Sequence, residues 1–206
     1  MENATIHKSQ KEVDDLIINN IILMLSYRKV IDESKVSNIV QKLQNEISDY
    51  NVYSFEENGV VYIIKFYHYR ISFTHKSSES IEKFLLNNKI FHKIVVLSEM
   101  KSIDRYNVMN NTAKYGETEI FSRDNLLMHL PHCNLFPKIN TILTETEKEE
   151  LIKQWKIKNY SCLPQIKWGD PNARLLNANV DDIIRSVYFN DNSSESPIYR
   201  LVVRVS

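Results

Sequence analysis

The stretch Leu163-Pro164-Gln165-Ile166-Lys167-Trp168-Gly169-Asp170-Pro171-Asn172-Ala173-Arg174 decides the fold of the C-terminal part of the chain. It predicts a short strand, then a turn and then a short helix. Asp170 can accept a hydrogen bond from the free amides of the first helical turn. Pro171 suits the first helical position because its missing N–H has no partner to lose there. We therefore predict that a helix begins at Pro171.

Other segments surround this stretch in a fixed order. A helix is predicted from Ser122 to Met128, and Leu135-Phe136-Pro137-Lys138 leads into a strand. The next predicted helix runs from Thr144 to Lys156 and starts with a capping box of Thr144 and Glu147. Glu149 and Glu150 precede Lys153 and Lys156 along this helix, as the helix dipole favours.

The remaining C-terminal pattern completes a small domain. The helical spacing predicts that Leu151, Ile152 and Trp155 face the core. Ile183 to Phe189 and Ile198 to Val205 predict two strands of an antiparallel hairpin, joined by a polar turn from Asn190 to Pro197.

These segments run in one order from about Phe121 to Val203 and close with Tyr199-Arg200-Leu201. Taken together, they resemble the assembly domain of the fifth common subunit of eukaryotic DNA-dependent RNA polymerases. That subunit has an archaeal counterpart. The chain departs from the family at Cys133 and Ile139, where the family commonly has His. It also has Asn177-Ala178-Asn179-Val180-Asp181-Asp182 in place of a Gly-rich turn. The resemblance implies a compact assembly domain with a small mixed sheet and two helices.

The N-terminal part predicts a helix pair followed by a small α/β sheet. Apolar residues recur at helical spacing from Val13 to Leu25 and from Val36 to Ile47. Further predictions are strands at Val60–Phe66, Tyr69–Thr74 and Ile94–Leu97, and helices at Ser80–Asn88 and Ser102–Met109. The fold class is therefore α/β (mixed α+β).

The resemblance is fainter in this part and includes the segment Ser26-Tyr27-Arg28-Lys29-Val30 between the two helices. It implies the eukaryotic two-domain type. The implied domains are an N-terminal jaw domain at 1–128, a linker and strand entry at 129–140, and an assembly domain at 141–206.

Composition and motifs argue against an enzyme. The chain has only three glycines, and it contains no Walker loop, nucleophile elbow or HExxH pair. His129, His132, Cys133 and Cys162 lack the paired spacing of a structural zinc site, so we expect no metal and no cofactor. Two cysteines without a signal peptide favour an intracellular protein, and the apolar run Ile21 to Leu25 is too short to span a membrane.

Charge is unevenly distributed although the net charge is zero. Between Val60 and Tyr115 there are nine cations against four anions, an excess that can neutralise phosphates. A merely solvated basic face remains an equal alternative. The resemblance implies that the jaw lies along the channel of downstream duplex DNA, with the loop after the strand Ile94–Leu97 aimed inward. The DNA-proximal candidates are Lys93, Lys101, Ser102 and Arg105.

The sequence therefore predicts a non-catalytic structural subunit of a multisubunit DNA-dependent RNA polymerase. The resemblance implies docking on the largest subunit, contacts with other polymerase subunits, and no homo-oligomer. Candidate interface residues are Leu135, Phe136, Pro137, Leu163, Pro164, Pro171, Arg174, Tyr199 and Arg200, each of which could instead serve only the domain's own fold. Alternative functions are a small metal-dependent nuclease, using Glu79, Glu82, Glu99 or Asp104, and a free-standing transcription adaptor.

Rich use of Asn, Ile, Lys and Tyr is typical of a genome rich in A and T. This favours a parasite or a large DNA virus as the source. We accordingly expect the nucleus as the location in a cell, or the cytoplasm and virion for a large cytoplasmic DNA virus.

Overall fold

The computed structural model describes residues 9–46, 51–68, 80–98, 102–128, 131, 136–137, 139–190 and 193–204. The chain divides into two compact units, Met1–Met128 and His129–Ser206. Each unit contains one four-stranded sheet with helices on it. The mixed α+β class predicted from the sequence is confirmed.

The N-terminal unit begins with two helices. Helix α1 spans Gln10–Tyr27 and starts with a capping box in which Ser9 and Glu12 satisfy each other's backbone amides. Helix α2 spans Glu33–Asn45, with the Asp32 side chain accepting from the Ser34 amide. The apolar spacing that predicted a helix pair is therefore realised, and the two helices contact each other directly.

The first sheet has the strand order β1-β2-β3-β4. Its strands are β1 Val52–Glu57, β2 Val60–Tyr67, β3 His92–Leu97 and β4 Thr118–Ser122. Strands β1 and β2 form an antiparallel hairpin, whereas β2–β3 and β3–β4 are parallel pairs. Parallel neighbours require crossover connections, and these contain the helices α3 Ile81–Asn87, α4 Ser102–Met109 and α5 Thr112–Tyr115.

Helices cover both faces of this sheet. Side chains from α3, α4 and α5 pack with one face of β2, β3 and β4 in a core of Tyr67, Ile81, Leu85, Val95, Leu97, Val108, Tyr115 and Ile120. Glu119 precedes Ile120 in β4 and therefore points to the opposite face, where it contacts Arg28 just after α1. The sheet is thus sandwiched between α1 and the later helices.

Several predictions for this unit need correction. Strands β1 and β4 were not predicted, and the helix expected from Ser122 to Met128 is a short 3-10 helix at Arg123–Leu126. Ser122 instead ends strand β4. The strand expected at 69–74 lies outside the described residues.

The C-terminal unit has a second sheet, with the order β5-β7-β8-β6. Its elements are β5 Ile139–Ile142, α6 Glu145–Trp155, a 3-10 helix at Tyr160–Cys162, β6 Gln165–Lys167, α7 Pro171–Leu175, β7 Ile183–Asn190 and β8 Ser193–Val203. Strands β5, β7 and β8 pair antiparallel, and β6 adds in parallel to the outer edge of β8.

Helices α6 and α7 lie on opposite faces of this sheet. Leu151 of α6 packs with Ile183 and Leu201. The intervening residues of the strands point the other way, so Ser186 bonds to Asn140, and Asn140 bonds to Asn172 of α7. We call these the α6 face and the α7 face.

The stretch from Leu163 to Arg174 folds as predicted. Asp170 Oδ1 accepts from the Asn172 amide at 2.9 Å, and Pro171 is the first residue of α7. The capping box of Thr144 and Glu147 is also present. These two helix starts are confirmed because each depends on residues within one turn of the helix.

Two further expectations for this unit are wrong. Trp155 does not face the core: it is 47% exposed and packs edge-on against Tyr199 at 5.2 Å between ring centroids. The polar turn predicted from Asn190 to Pro197 is much shorter, because β8 already begins at Ser193 and Pro197 pairs with Val187. The β-propensity of Ser and Pro is low, but pairing with β7 overrides it.

The turn before β7 keeps left-handed backbone geometry without glycine. Asn177 has φ 55 and Asp181 has φ 74. The turn is held by the Asp182 carboxylate, which accepts from the Asn179 amide, and by the Asp181 amide, which donates to the Val202 carbonyl. The missing glycines therefore leave the turn in place, at the cost of strained φ angles.

We predict that Asp181→Gly stabilises the C-terminal unit by about 0.5–1 kcal/mol, because glycine adopts positive φ without steric cost. Denaturant unfolding of both proteins measures the difference, with Asn179→Gly as the control at an exposed position without positive φ. A lower stability of Asp181→Gly would show that the aspartate side chain, and not the backbone angle, matters at this turn.

Candidate functional site

Lys93 is buried in the N-terminal unit and cannot contact DNA. Its side chain is 0% exposed, and its ammonium group donates to the carbonyls of Asn88 at 3.1 Å and Phe91 at 2.7 Å. These carbonyls follow helix α3, so Lys93 acts as a C-terminal cap for that helix. The expectation that Lys93 is DNA-proximal is wrong, because its position in β3 points it at the helix layer and not at solvent.

The pocket around the Lys93 ammonium group is desolvated and closely packed. Burial lowers the pKa of Lys93 to about 8, since the charged form loses hydration that two carbonyls only partly replace. Gly116 closes the pocket at φ 71, and a Cβ there would lie 2.0 Å from the Lys89 carbonyl oxygen and 3.3 Å from Lys93 Nζ. Only glycine fits at position 116.

The other DNA-proximal candidates lie around the start of α4. Lys101 is outside the described residues, and Ser102 is the first residue of α4. Arg105 follows one turn later and is partly buried, which lowers the pKa of its guanidinium. Arg105 Nε is buried without a hydrogen-bond partner among the described residues. A direct phosphate contact by Arg105 would use only its outer nitrogens.

Two lysines of the region from Val60 to Tyr115, Lys65 and Lys114, are engaged by neighbouring side chains. Lys114 pairs with Glu82 at 2.7 Å and lies over the Tyr115 ring, and Lys65 lies over the Tyr67 ring. Lys83 and Lys89 are exposed. Of the carboxylates that a nuclease would need, Glu82 is engaged with Lys114, and Glu79 and Glu99 lie outside the described residues. Among the residues that the structure describes, no group of three His, Cys, Asp or Glu side chains could hold the metal ion of such a nuclease.

A buried ionic cluster that sequence reasoning missed ties α1 to the sheet. Arg28 forms two hydrogen bonds to the Glu119 carboxylate, at 2.8 and 2.9 Å, and His92 Nε2 lies 3.0 Å from the same carboxylate. The Glu119 side chain is only 2% exposed. The sequence signal available for this cluster was the segment Ser26–Val30, which contains Arg28 and is part of the family resemblance. Because the partners come from separate elements, the cluster stabilises the packing of α1 on the sheet.

A second polar cluster lines a cleft at the start of α1. His68 Nε2 lies 3.2 Å from Asp14, and Gln10 bonds to both side chains. Burial raises the pKa of Asp14, while His68 lowers it in part. The cleft has a volume of about 450 Å³ and is also lined by Tyr53 and Gln44. Asp14 and His68 form a carboxylate–imidazole pair in this cleft, and Gln10 hydrogen-bonds to both of them.

The structure shows no metal centre in the residues it describes, where no group of three His, Cys, Asp or Glu side chains could hold an ion. His129, His132 and Cys133 lie outside that part of the chain. Cys162 is exposed and free. No described helix is long and apolar enough to cross a membrane.

The candidate interface residues do not form one surface. Leu163, Pro137 and Arg174 are buried, and the Arg174 guanidinium stacks over the Trp168 ring at 4.7 Å. Pro164 and Pro171 are exposed, and Phe136, Tyr199 and Arg200 are partly exposed. Tyr199 lies on the α6 face and Arg200 on the α7 face, because neighbouring residues of β8 alternate. Leu135 lies outside the described residues.

Comparison with known proteins identifies a family for the C-terminal part of the chain. The model of the family described as RNA polymerase Rpb5, C-terminal domain, matches residues 128–202, which nearly coincide with the C-terminal unit. The DNA-directed RNA polymerase subunit Rpo5 of Thermococcus kodakarensis is 44% identical over 62 residues, covering 30% of this chain and 74% of that protein. The subunit Rpo5 of Thermococcus onnurineus is 42% identical over 62 residues, with the same two shares.

The C-terminal unit is thus an RNA polymerase subunit domain, formed by a mixed sheet between two helices. The chain belongs to the Rpb5/Rpo5 family of DNA-directed RNA polymerase subunits. This confirms the resemblance derived from the Leu-Pro and Asp-Pro segments.

The buried Lys93 generates a pH prediction. Below pH 8 the lysine is protonated in both the folded and the unfolded chain, and its burial costs stability. Between pH 8 and the ordinary lysine pKa of 10.5 the unfolded chain binds more protons, so stability rises with pH. A neutral amine can still donate to both carbonyls. Relative to Lys93→Met, we expect the wild type to gain up to ~3 kcal/mol over this range.

Chemical unfolding at a series of pH values measures this difference, and the Met variant supplies the control for every other group that titrates in the same range. Parallel pH profiles for the two proteins would show that Lys93 keeps its ordinary pKa. Lys93 would then cap the end of helix α3 with a charged ammonium group.

Proposed function

We propose that the protein is a non-catalytic structural subunit of a multisubunit DNA-dependent RNA polymerase. The observation that carries the proposal is the family match over residues 128–202, which spans a unit with its own core and its own sheet. Within the described residues of this unit, no group of three His, Cys, Asp or Glu side chains could hold a metal ion. Its role would be to bind other subunits, with the active site and its metal ions supplied by other chains.

We infer that the C-terminal unit docks on the largest polymerase subunit through the α7 face. The carbonyl of Pro164 accepts from the Leu201 amide, which places this exposed proline beside Arg200. Pro171 is exposed at the start of α7 on the same face. Prolines lose little conformational entropy on binding, so Pro164, Pro171 and Arg200 are suited to a fixed contact. We call these three residues the proline surface.

The buried candidates would act indirectly. Arg174 and Leu163 hold the domain together, the first by stacking on Trp168 and the second within the α6-side core. Their substitution would disturb docking through loss of the fold and not through loss of a contact.

The N-terminal unit would serve as a jaw that extends toward downstream duplex DNA. Support comes from the local excess of cations between Val60 and Tyr115 and from the exposed Lys83 and Lys89. Lys101 and the outer nitrogens of Arg105 remain the proposed contacts, since Lys93 is buried. A protein with this role works inside the cell, in the nucleus or, for a large cytoplasmic DNA virus, in the cytoplasm and virion.

Assembly provides the first test of the proposal. A tagged fragment of residues 129–206 should co-purify with the largest subunit in equal amounts, whereas the fragment 1–128 should not. In the full chain, Arg200→Glu should weaken co-purification, because it reverses a charge on the proline surface. Lys153→Glu, on α6 at the other face, is the matched control and should leave assembly intact.

Quantitative mass spectrometry of the purified complexes measures the stoichiometry. A stable chain that captures no polymerase subunit in stoichiometric amounts would favour the free-standing adaptor. Capture by the 1–128 fragment alone would reverse the roles proposed for the two units.

DNA affinity of the assembled polymerase tests the jaw. Lys101→Glu should weaken binding and reduce the slope of log K against log salt by about one unit, because one phosphate contact is lost. Lys83→Glu, also at a basic position of this unit, separates a local contact from a general change in charge. Equal slopes for wild type and Lys101→Glu, with intact assembly, would mean that this loop does not contact phosphate.

A further inference from the structure

The α6 face carries a partly exposed apolar surface that the docking proposal does not use. Trp155 is 47% exposed at the end of α6, and its ring packs edge-on against Tyr199. Ile157, Tyr160, Tyr199 and Val203 are only partly buried around the core of this face. We call these five residues the Trp155 surface. An exposed apolar patch with a polar rim is typical of an interaction site.

Lysines form the rim of this surface. Lys156 directly follows Trp155, Lys158 comes two residues after Lys156, and both lysines are exposed. Lys167 is exposed on β6, where it pairs in register with Val203 and therefore points to the same face. Ion pairs within the described residues involve none of these three lysines. The rim is therefore positively charged.

The backbone at Lys156 fixes where this lysine lies at the end of helix α6. Lys156 ends helix α6 in the left-handed conformation, with φ 52 and ψ 35. Glycine is the usual residue at this position because a side chain there is strained. The exposed Lys156 side chain forms none of the ion pairs found among the described residues, so its ammonium group is available to a carboxylate of a partner.

We propose that the Trp155 surface binds a short acidic protein segment that carries one large apolar side chain. The apolar side chain would pack on Trp155 and Tyr199, and the carboxylates on either side would pair with Lys156, Lys158 and Lys167. Aromatic anchors of this kind supply most of the binding energy, and the charged rim supplies orientation. The inference rests on surface chemistry and does not depend on which polymerase subunit the proline surface contacts.

Two other occupants fit less well. A single nucleic-acid strand binds to successive aromatic platforms along a basic groove, whereas Trp155 and Tyr199 form one T-shaped pair. A second copy of this chain would place lysine rims against each other, since a two-fold contact opposes identical surfaces.

The experiment uses the full chain and a labelled synthetic peptide with a single Phe flanked by Glu residues. Fluorescence polarisation measures affinity, and tryptophan emission reports the contact directly, because Trp168 is only 2% exposed and Trp155 is the accessible indole. We expect Trp155→Ala to weaken binding by at least about tenfold. A peptide with Gln in place of Glu, and one with Ala in place of Phe, should each bind more weakly.

Lys156→Gly separates binding from folding. It should raise the melting temperature, because the left-handed strain is relieved, and yet weaken peptide binding about two- to fivefold through loss of one ion pair. Lys158→Glu should weaken binding without affecting this turn. Lys153→Glu is the matched control, since it lies two residues from Trp155 on α6 and so about 200° around the helix. It should change affinity little.

Several results would overturn the proposal. These are no measurable binding of the acidic peptide, equal binding of the Gln peptide, and wild-type affinity in Lys156→Gly. Tighter binding of single-stranded oligothymidine that depends on Trp155 would identify the surface as a nucleic-acid site instead. Self-association lost in Trp155→Ala would identify it as a contact between copies.

Discussion

The alternation of side chains along β8 is the constraint on which the C-terminal unit depends. Leu201 points to the α6 face and Val202 to the α7 face, and both are buried. Strand β8 pairs with β7 on one side and with β6 on the other. Residues of β7 and β6 therefore point to the same face as the β8 residues with which they pair in register. A shift of register by one residue would exchange the two cores. The proline surface and the Trp155 surface are distinct because Arg200 and Tyr199 are consecutive.

Charged groups inside the N-terminal unit stabilise specific contacts between elements. Glu119 would be costly to bury alone, but Arg28 forms a bidentate pair with it and His92 adds a contact. Lys93 is buried on the opposite face and caps the end of α3. Removing one partner of either arrangement would leave a buried group without compensation. Part of the basic region between Val60 and Tyr115, namely Lys93, therefore stabilises the fold of this unit.

The sequence predicts local features of this protein better than it predicts exposure. The helix start at Asp170 and Pro171 was predictable because the cap and the proline act on adjacent amides. Strand β1 was missed although Asn58 and Gly59, both at positive φ, are the usual signal of a tight hairpin turn. Strand β4 was missed because the charged Glu119 interrupts its apolar pattern.

The burial of Lys93 and the exposure of Trp155 could not be read from charge or hydropathy. Each depends on which layer the strand or the helix end faces, and that is decided by pairing between distant segments. Nor could the candidate interface residues be divided between two faces before the register of β8 was known. The strand pairing, and not the composition, separates structural residues from accessible ones.

The outer strands of the second sheet are short. Strand β5 has 4 residues and β6 has 3, whereas the inner strands β7 and β8 have 8 and 11. A short edge presents few unpaired amides, so it is a poor template for a strand from another chain. The longest hydrogen-bonding ladder in this unit is enclosed on both sides. Insertions that lengthen β5 or β6 would therefore favour aggregation even where they leave the core unchanged.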